Sequence, residues 1–190
     1  MPLNLPNILT LGRIIVIIPL LIALHIGTKN ALWVSALLFV AACLTDFLDG
    51  YLARLQKQQT AFGKFLDPIA DKVLIAVVLL MLAAKGRIDD LTLIPAMVIL
   101  SREILVSGLR EFLGGQNITV PVSRLAKWKT TVQMMAIGLL LLGDVGPAFV
   151  VQYQIGEIGL WVAAALTAIT GIQYFSSGFK ALNTSPVPAH

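Results

Sequence analysis

The stretch Asp46-Phe47-Leu48-Asp49-Gly50-Tyr51-Leu52-Ala53-Arg54, followed after eight residues by Gly63-Lys64-Phe65-Leu66-Asp67-Pro68-Ile69-Ala70-Asp71, decides how this chain is read. Its four carboxylates stand at the ends of strongly apolar segments, where an ionised group is costly unless it has a task. Asp46 and Asp49 are three residues apart and Asp67 and Asp71 are four apart, so each pair shares one face of a helix. Two such helices lying antiparallel across the connection bring all four acids to one point.

Outward from this stretch the chain is apolar along its whole length. With 57% hydrophobic and 13% charged residues and a mean hydropathy of +0.87, its 190 residues have too little polar surface for a soluble globule. A backbone in lipid must satisfy its own hydrogen bonds, and the apolar runs are much longer than barrel strands, so they predict helices. The expectation is an all-α integral membrane protein, a single domain over 1–190, with six transmembrane helices and a short N-terminal interfacial segment over 1–10. The predicted spans run from about Leu11 to Ile26, Ala31 to Leu44 (continuing as the acid-bearing helix to Leu55), Phe65 to Ala84, Leu91 to Leu113, Thr130 to Leu142 and Ile158 to Phe175. Pro19 predicts a kink in the first. Asp67-Pro68 fits either an N-cap with proline at the first helical position or a kink in a helix begun earlier. Residues 143–156 read as a loop and 183–190 as a frayed tail. No removable leader is expected, so the first helix stays. The lone Cys43 reads as packing.

Six spans put both termini on one side. With that side cytoplasmic, eleven of the fourteen Lys and Arg fall inside and only Lys29, Lys85 and Arg87 fall outside, in keeping with the positive-inside bias. The acids then face the cytoplasm, where a soluble phosphate-bearing substrate is met.

Like charges packed together need a compensating cation. No Lys or His cluster lies within the acidic stretch, so a divalent metal is the economical answer. Carboxylates suit Mg²⁺, Mn²⁺ or Ca²⁺ rather than zinc. Four of them can hold two ions roughly 4 Å apart, an arrangement used for displacement at phosphorus. Gly50 permits close approach to the backbone, and Arg54, four residues on, is a natural phosphate fork. A relay of ions or protons is the rival use of intramembrane acids, but it needs acids spread along a path near the midplane, whereas these gather at one end.

A second group of charges, Arg102, Arg110, Lys127 and Lys129, lies around the fourth and fifth helices. Arg102 and Arg110 are eight apart and share a face. Together the four predict a cationic pocket for a dianionic phosphate; a snorkelling cytoplasmic belt is the plainer alternative.

The pattern Asp-x-x-Asp-Gly-x-x-Ala-Arg, eight residues, Gly-x-x-x-Asp-x-x-x-Asp resembles the signature of the CDP-alcohol phosphatidyltransferases, and Asp46, Asp49, Gly50, Ala53, Arg54, Gly63, Asp67 and Asp71 match it without departure. The resemblance implies a Mg²⁺- or Mn²⁺-dependent transfer, with two ions, of a phosphatidyl group from CDP-diacylglycerol to an alcohol, releasing CMP. It implies Asp46, Asp49, Asp67 and Asp71 as metal ligands, Asp71 also as the base, and Gly50, Ala53, Arg54, Gly63, Asn7 and Thr10 around CDP-diacylglycerol. The segments Pro6–Arg13, Ser101–Ile104 with Gly108–Arg110, and Lys127–Thr130 with Gln133-Met134 resemble the bacterial branch whose acceptor is sn-glycerol 3-phosphate. That resemblance places the chain in the bacterial inner membrane and implies a homodimer, with no nucleic-acid partner. The residues themselves give only an anionic acceptor. A cardiolipin synthase or inositol-phosphate transferase is the alternative within the family, and an ion-coupled transporter the alternative outside it.

Overall fold

The computed structural model describes residues 5–56, 61–116, 118–121, 124–145 and 149–184, with side chains throughout except at 5–6, 47–56, 61–62, 64, 124, 144, 149–150 and 184. Six α-helices account for nearly all of it: α1 Leu5–Ile26, α2 Lys29–Gln56, α3 Ala61–Ala84, α4 Asp90–Gly115, α5 Arg124–Leu142 and α6 Phe149–Thr184. A single 3₁₀ turn, Gly143–Val145, follows α5, and no strand occurs among the described residues.

The helices form two groups of three. α1 packs against α2 and α3, while α6 packs against α4 and α5, and the groups meet where α2 touches α5 and α3 touches α4. Gly27, with φ +69°, turns α1 into α2 in a conformation that a side chain would strain. Close approach of α5 and α6 depends on small residues: a Cβ on Gly156 would meet Leu140 Cγ at 2.9 Å, and one on Gly159 would meet Ala136 Cβ at 3.0 Å. Small residues let backbones approach where lipid supplies no hydrophobic drive for association.

The buried stripes change character along their length. On α1 the buried positions are Asn7, Thr10, Arg13, Ile17, Leu20 and Leu24, spaced by three or four residues. On α2 the stripe Leu32, Ala36, Phe39, Ala42 leads to Asp46, and on α3 the stripe Leu82, Val78, Leu74 leads back to Asp71 and Asp67. On α5, Leu140 and Ala136 give way to Gln133 and Lys129; on α6, Leu160 and Ala163 give way to Thr167 and Thr170. At one end the bundle is therefore held by apolar packing, and at the other its interior is polar.

Four helices hold stretches long and apolar enough to cross a membrane: Asn7–Ile26, Lys29–Asp46, Asp90–Gly115 and Val151–Asn183. The chain is a multi-pass membrane protein. α3 and α5 are shorter in apolar length, because charges fill their first turns and only 73–84 and 130–142 remain uncharged.

Several boundaries differ from expectation. Residues 5–10 are part of α1 rather than a separate interfacial segment, and Pro19 lies within that helix. Pro68 lies inside a helix that begins at Ala61, which settles the open choice there in favour of the earlier start. The loop expected over 143–156 is mostly helix, and α6 runs for 36 residues, roughly 54 Å. Gly156 and Glu157 fall in its second turn and beyond, where glycine serves close packing rather than a turn, and Glu157 accepts a 2.7 Å hydrogen bond from Thr92. Of the polar stretch Gln56–Thr60, which reads as a connection, Gln56 ends α2; residues 57–60 and most of the tail lie outside the described residues.

Candidate active site

The polar end of the first three helices holds three of the four acids. Arg13 reaches from α1 with a side chain that is 0% exposed, and its Nη1 lies 2.8 Å from Asp46 Oδ1 on α2. The same nitrogen donates to Asp71 Oδ1 on α3. One turn earlier on α1, the buried Thr10 hydroxyl donates to Asp67 Oδ1. Three-residue spacing on α1 and four-residue spacing on α3 thus set two matched contacts one above the other. Asp46 and Asp71 remain partly exposed, at 30% and 42% of their side chains, so the pair opens outward while Arg13 closes it from within. Asn7 is buried on the same face of α1, and Gly63 is buried near the start of α3.

The cation expected here from a metal alone is thus in part supplied by the protein. Arg13 is 58 residues from Asp71 in sequence, which is why inspection of the acidic stretch does not find this counter-charge. Asp49, Gly50, Ala53 and Arg54 lie on α2 beyond Asp46, and their side chains are outside the described set. Among the described residues no three potential ligands gather closely enough to hold a metal. What is described is the Asp46–Arg13–Asp71 bridge with Asp67 one turn further along α3. Their donor set is entirely carboxylate oxygen, the chemistry that Mg²⁺ and Mn²⁺ take, so the residues present fit such an ion.

The polar cluster of the second group of helices is mainly basic. Lys129, on α5 and 4% exposed, pairs with Glu103 on α4. Arg102 lies 3.5 Å from Glu103 and donates at 3.2 Å to Thr170 Oγ1 on α6. Gly171 makes room for it, since a Cβ there would stand 3.0 Å from Arg102 Cγ. Arg110 is exposed and sits 5.5 Å over the Tyr174 ring, a cation–π contact with α6. Lys127 is exposed and takes no part in the Glu103 contacts. Of the four basic residues singled out by sequence, Arg102 and Lys129 therefore converge, and Arg110 and Lys127 lie outward.

The two groups touch. Lys72, next to Asp71 on α3, donates to Ser107 on α4, one turn from Glu103. Neither Lys72 nor Ser107 stands out in the sequence, and nor do Thr170 and Gly171; Arg13 enters there only as the end of the Pro6–Arg13 segment. The signal for Arg13 was present as a lone arginine in an apolar helix three residues after Thr10. Below the acids, an apolar groove of about 410 Å³ runs between α2 and α5, lined by Phe39, Cys43, Met134 and Gly138 among others. Cys43 is one turn from Asp46.

A protein-family model for CDP-alcohol phosphatidyltransferases matches residues 3–169. The chain belongs to the CDP-alcohol phosphatidyltransferase family. A protein of Rickettsia felis is 52% identical over 92% of this chain and 94% of its own length, and its name is CDP-diacylglycerol–glycerol-3-phosphate 3-phosphatidyltransferase. Relatives bearing the same name in Bacillus subtilis and Cereibacter sphaeroides are 39% and 37% identical, over 96% and 90% of this chain and 98% and 94% of theirs.

Proposed function

We propose that this protein transfers the phosphatidyl group of CDP-diacylglycerol to sn-glycerol 3-phosphate, giving phosphatidylglycerophosphate and CMP. The observation that carries the reading is the contact between the two polar groups. Asp71 and Lys72 are neighbours on α3, and Lys72 reaches Ser107 beside the Arg102–Glu103–Lys129 cluster. An acceptor whose phosphate is held by Arg102 and Lys129 can thus present a hydroxyl toward Asp71. The names of the relatives support the same acceptor.

Asp46, Asp49, Asp67 and Asp71 hold Mg²⁺ or Mn²⁺, two ions by the family pattern, which when bound neutralise the diphosphate and the departing CMP. Arg54, with the backbone near Gly50 and Ala53, holds the nucleotide end; Asn7, Thr10 and Gly63 line its side. Thr10 also orients Asp67 through its hydroxyl. Asp71 takes the proton from the acceptor hydroxyl as that oxygen bonds to the phosphatidyl phosphorus and the bond from that phosphorus to the CMP oxygen breaks. Arg102 and Lys129 grip the acceptor phosphate, with Arg110 and Lys127 at the rim. The α2–α5 groove, opening one turn from Asp46, suits an acyl chain of the lipid substrate.

We further infer one domain with six spans, both termini and the acids cytoplasmic, in a bacterial inner membrane, and a homodimer. The eleven-to-three distribution of basic residues supports the orientation.

The deciding experiment is CMP release from CDP-diacylglycerol by purified protein with Mg²⁺ or Mn²⁺, comparing sn-glycerol 3-phosphate, inositol phosphate, phosphatidylglycerol, serine and no acceptor. Release with glycerol 3-phosphate alone is expected. Release with another acceptor keeps the acid chemistry and overturns the assignment of the basic pocket. No release from folded protein returns the transporter reading.

A further inference from the structure

Arg13 has no task in the reaction as proposed, yet it is the most deeply buried charged residue among the described residues. Its side chain is 0% exposed, and one nitrogen serves both Asp46 and Asp71. An arginine inside an apolar helix is costly, so its retention there calls for a role that a hydrophobic residue cannot fill. The two carboxylates it joins are also two of the proposed metal ligands. A Mg²⁺ ion sits at about 2.0–2.1 Å from its oxygens. The guanidinium already stands 2.8 Å from Asp46 Oδ1. Both cations draw on the same oxygens and the same negative charge.

We propose that Arg13 is the resident counter-cation of the Asp46–Asp71 pair: it holds the two carboxylates together before metal binds, competes with the metal for them, and so sets how tightly the metal is held. This rests on the reading that the metal binds at these acids. It makes Arg13 a positioning residue, acting through Asp46 and Asp71 rather than on the substrate. The packing of α1 against α2 and α3 keeps the guanidinium at hand, so that it is available to re-form the bridge when the metal leaves. Two plainer roles for Arg13 would give effects of different sign. A residue that merely packs would, when replaced, destabilise the protein without tightening the metal. A residue that orients the ligands for the metal would, when replaced, weaken it. A competitor, when removed, leaves two uncompensated carboxylates that bind the metal more tightly.

The test needs neither substrate nor turnover. Full-length protein in detergent is titrated with Mn²⁺, and free ion is followed by electron paramagnetic resonance for wild type, Arg13→Gln and Arg13→Lys; Tm is recorded with and without the ion. For Arg13→Gln the expected result is a Mn²⁺ Kd tighter on the order of tenfold, a lower Tm without metal, and a Tm gap to wild type that narrows at saturating Mn²⁺. Arg13→Lys keeps the charge and should stay within about twofold of the wild-type Kd. An unchanged or weaker Kd for Arg13→Gln overturns the proposal. If Arg13→Gln folds only when Mg²⁺ is present from extraction onward, the counter-cation role is supported; if metal fails to recover it while Arg13→Lys folds, the role is overturned. Wild-type protein that binds no Mn²⁺ would instead refute the metal reading itself, an outcome distinct from an unchanged affinity.

Discussion

The two groups of helices solve one electrostatic problem with the signs exchanged. Where α1, α2 and α3 meet at their polar end, Asp46, Asp67 and Asp71 outnumber the base among them, a single buried Arg13 that stands between Asp46 and Asp71. Among α4, α5 and α6 the majority is positive, and a single Glu103 stands between Arg102 and Lys129. Each minority charge keeps its neighbours near one another where, unpaired in a low dielectric, they would be driven apart or neutralised. Each also leaves a residual charge of the majority sign: negative for a cation on one side, positive for a phosphate on the other. A site for a charged ligand in an apolar bundle is therefore best prepared by partial compensation. Full compensation leaves no attraction, and none at all leaves a bundle that resists assembly.

The strongest way to break this symmetry is at Asp71, the one acid given a chemical step. Asp71→Asn should lower turnover by roughly 10³-fold or more, while CDP-diacylglycerol binding, followed by equilibrium dialysis, is largely kept. Equal loss of both would make Asp71 chiefly a metal ligand and leave the base unassigned.

Glu103 is the counterpart of Arg13, and removing it should cost stability first. Glu103→Gln leaves Lys129, 4% exposed, without its partner. Breaking a buried pair in this way costs roughly 3–5 kcal/mol, and the 22% exposure of Glu103 sets the expectation at the lower end. The sharper readout is rescue. sn-Glycerol 3-phosphate should raise the Tm of Glu103→Gln more than that of wild type, as a ligand anion takes the place of the lost carboxylate. Equal shifts would mean that Lys129 does not face the acceptor.

Arg102 tests the same pocket with a smaller effect on a different constant. Arg102→Ala removes charge-assisted bonds of about 1.5–3 kcal/mol, so KM for sn-glycerol 3-phosphate should rise roughly tenfold to a hundredfold with KM for CDP-diacylglycerol unchanged. A rise in both constants would merge the two pockets into one.

Much of this architecture was legible in the sequence. Long apolar runs with charges at their ends predict six helices, and Asp46, Asp67 and Asp71 continue the same i, i+3, i+4 stripes that form the core below them. What was not legible falls into two kinds. The first is contact across distant sequence: Arg13 meets Asp71 over 58 positions, and Lys72 meets Ser107 over 35. Helical spacing gives the face a residue lies on, but not the neighbour that face meets. The second is glycine. Gly143 and Gly156 look alike as turn signals in a window that also holds Pro147, yet Gly143 takes φ +48° in a turn while Gly156 lies in α6 against Leu140. In a lipid-embedded bundle a glycine can be a packing surface, and local composition does not separate the two uses.

The smallest expected effect lies at the far end, where the two groups of helices are joined without any buried ion pair among the described residues. Arg87, in the turn after α3, donates to the carbonyls of Leu141 and Leu140 at 3.0 and 3.3 Å, and so satisfies the C-terminal turn of α5. It ties the first group of helices to the second there, as Lys72 and Ser107 do at the polar end. Arg87→Met should cost about 1 kcal/mol, lower Tm by a few degrees, and leave both KM values and low-temperature turnover unchanged. Gly143→Ala should act in the same direction, because its Cβ would come within 2.7 Å of Arg87 Cζ and its φ of +48° disfavours any side chain. If either change moved KM for sn-glycerol 3-phosphate, the far end would be setting the geometry of the polar one, and the two groups of helices would move as a single lever rather than as separately compensated sites.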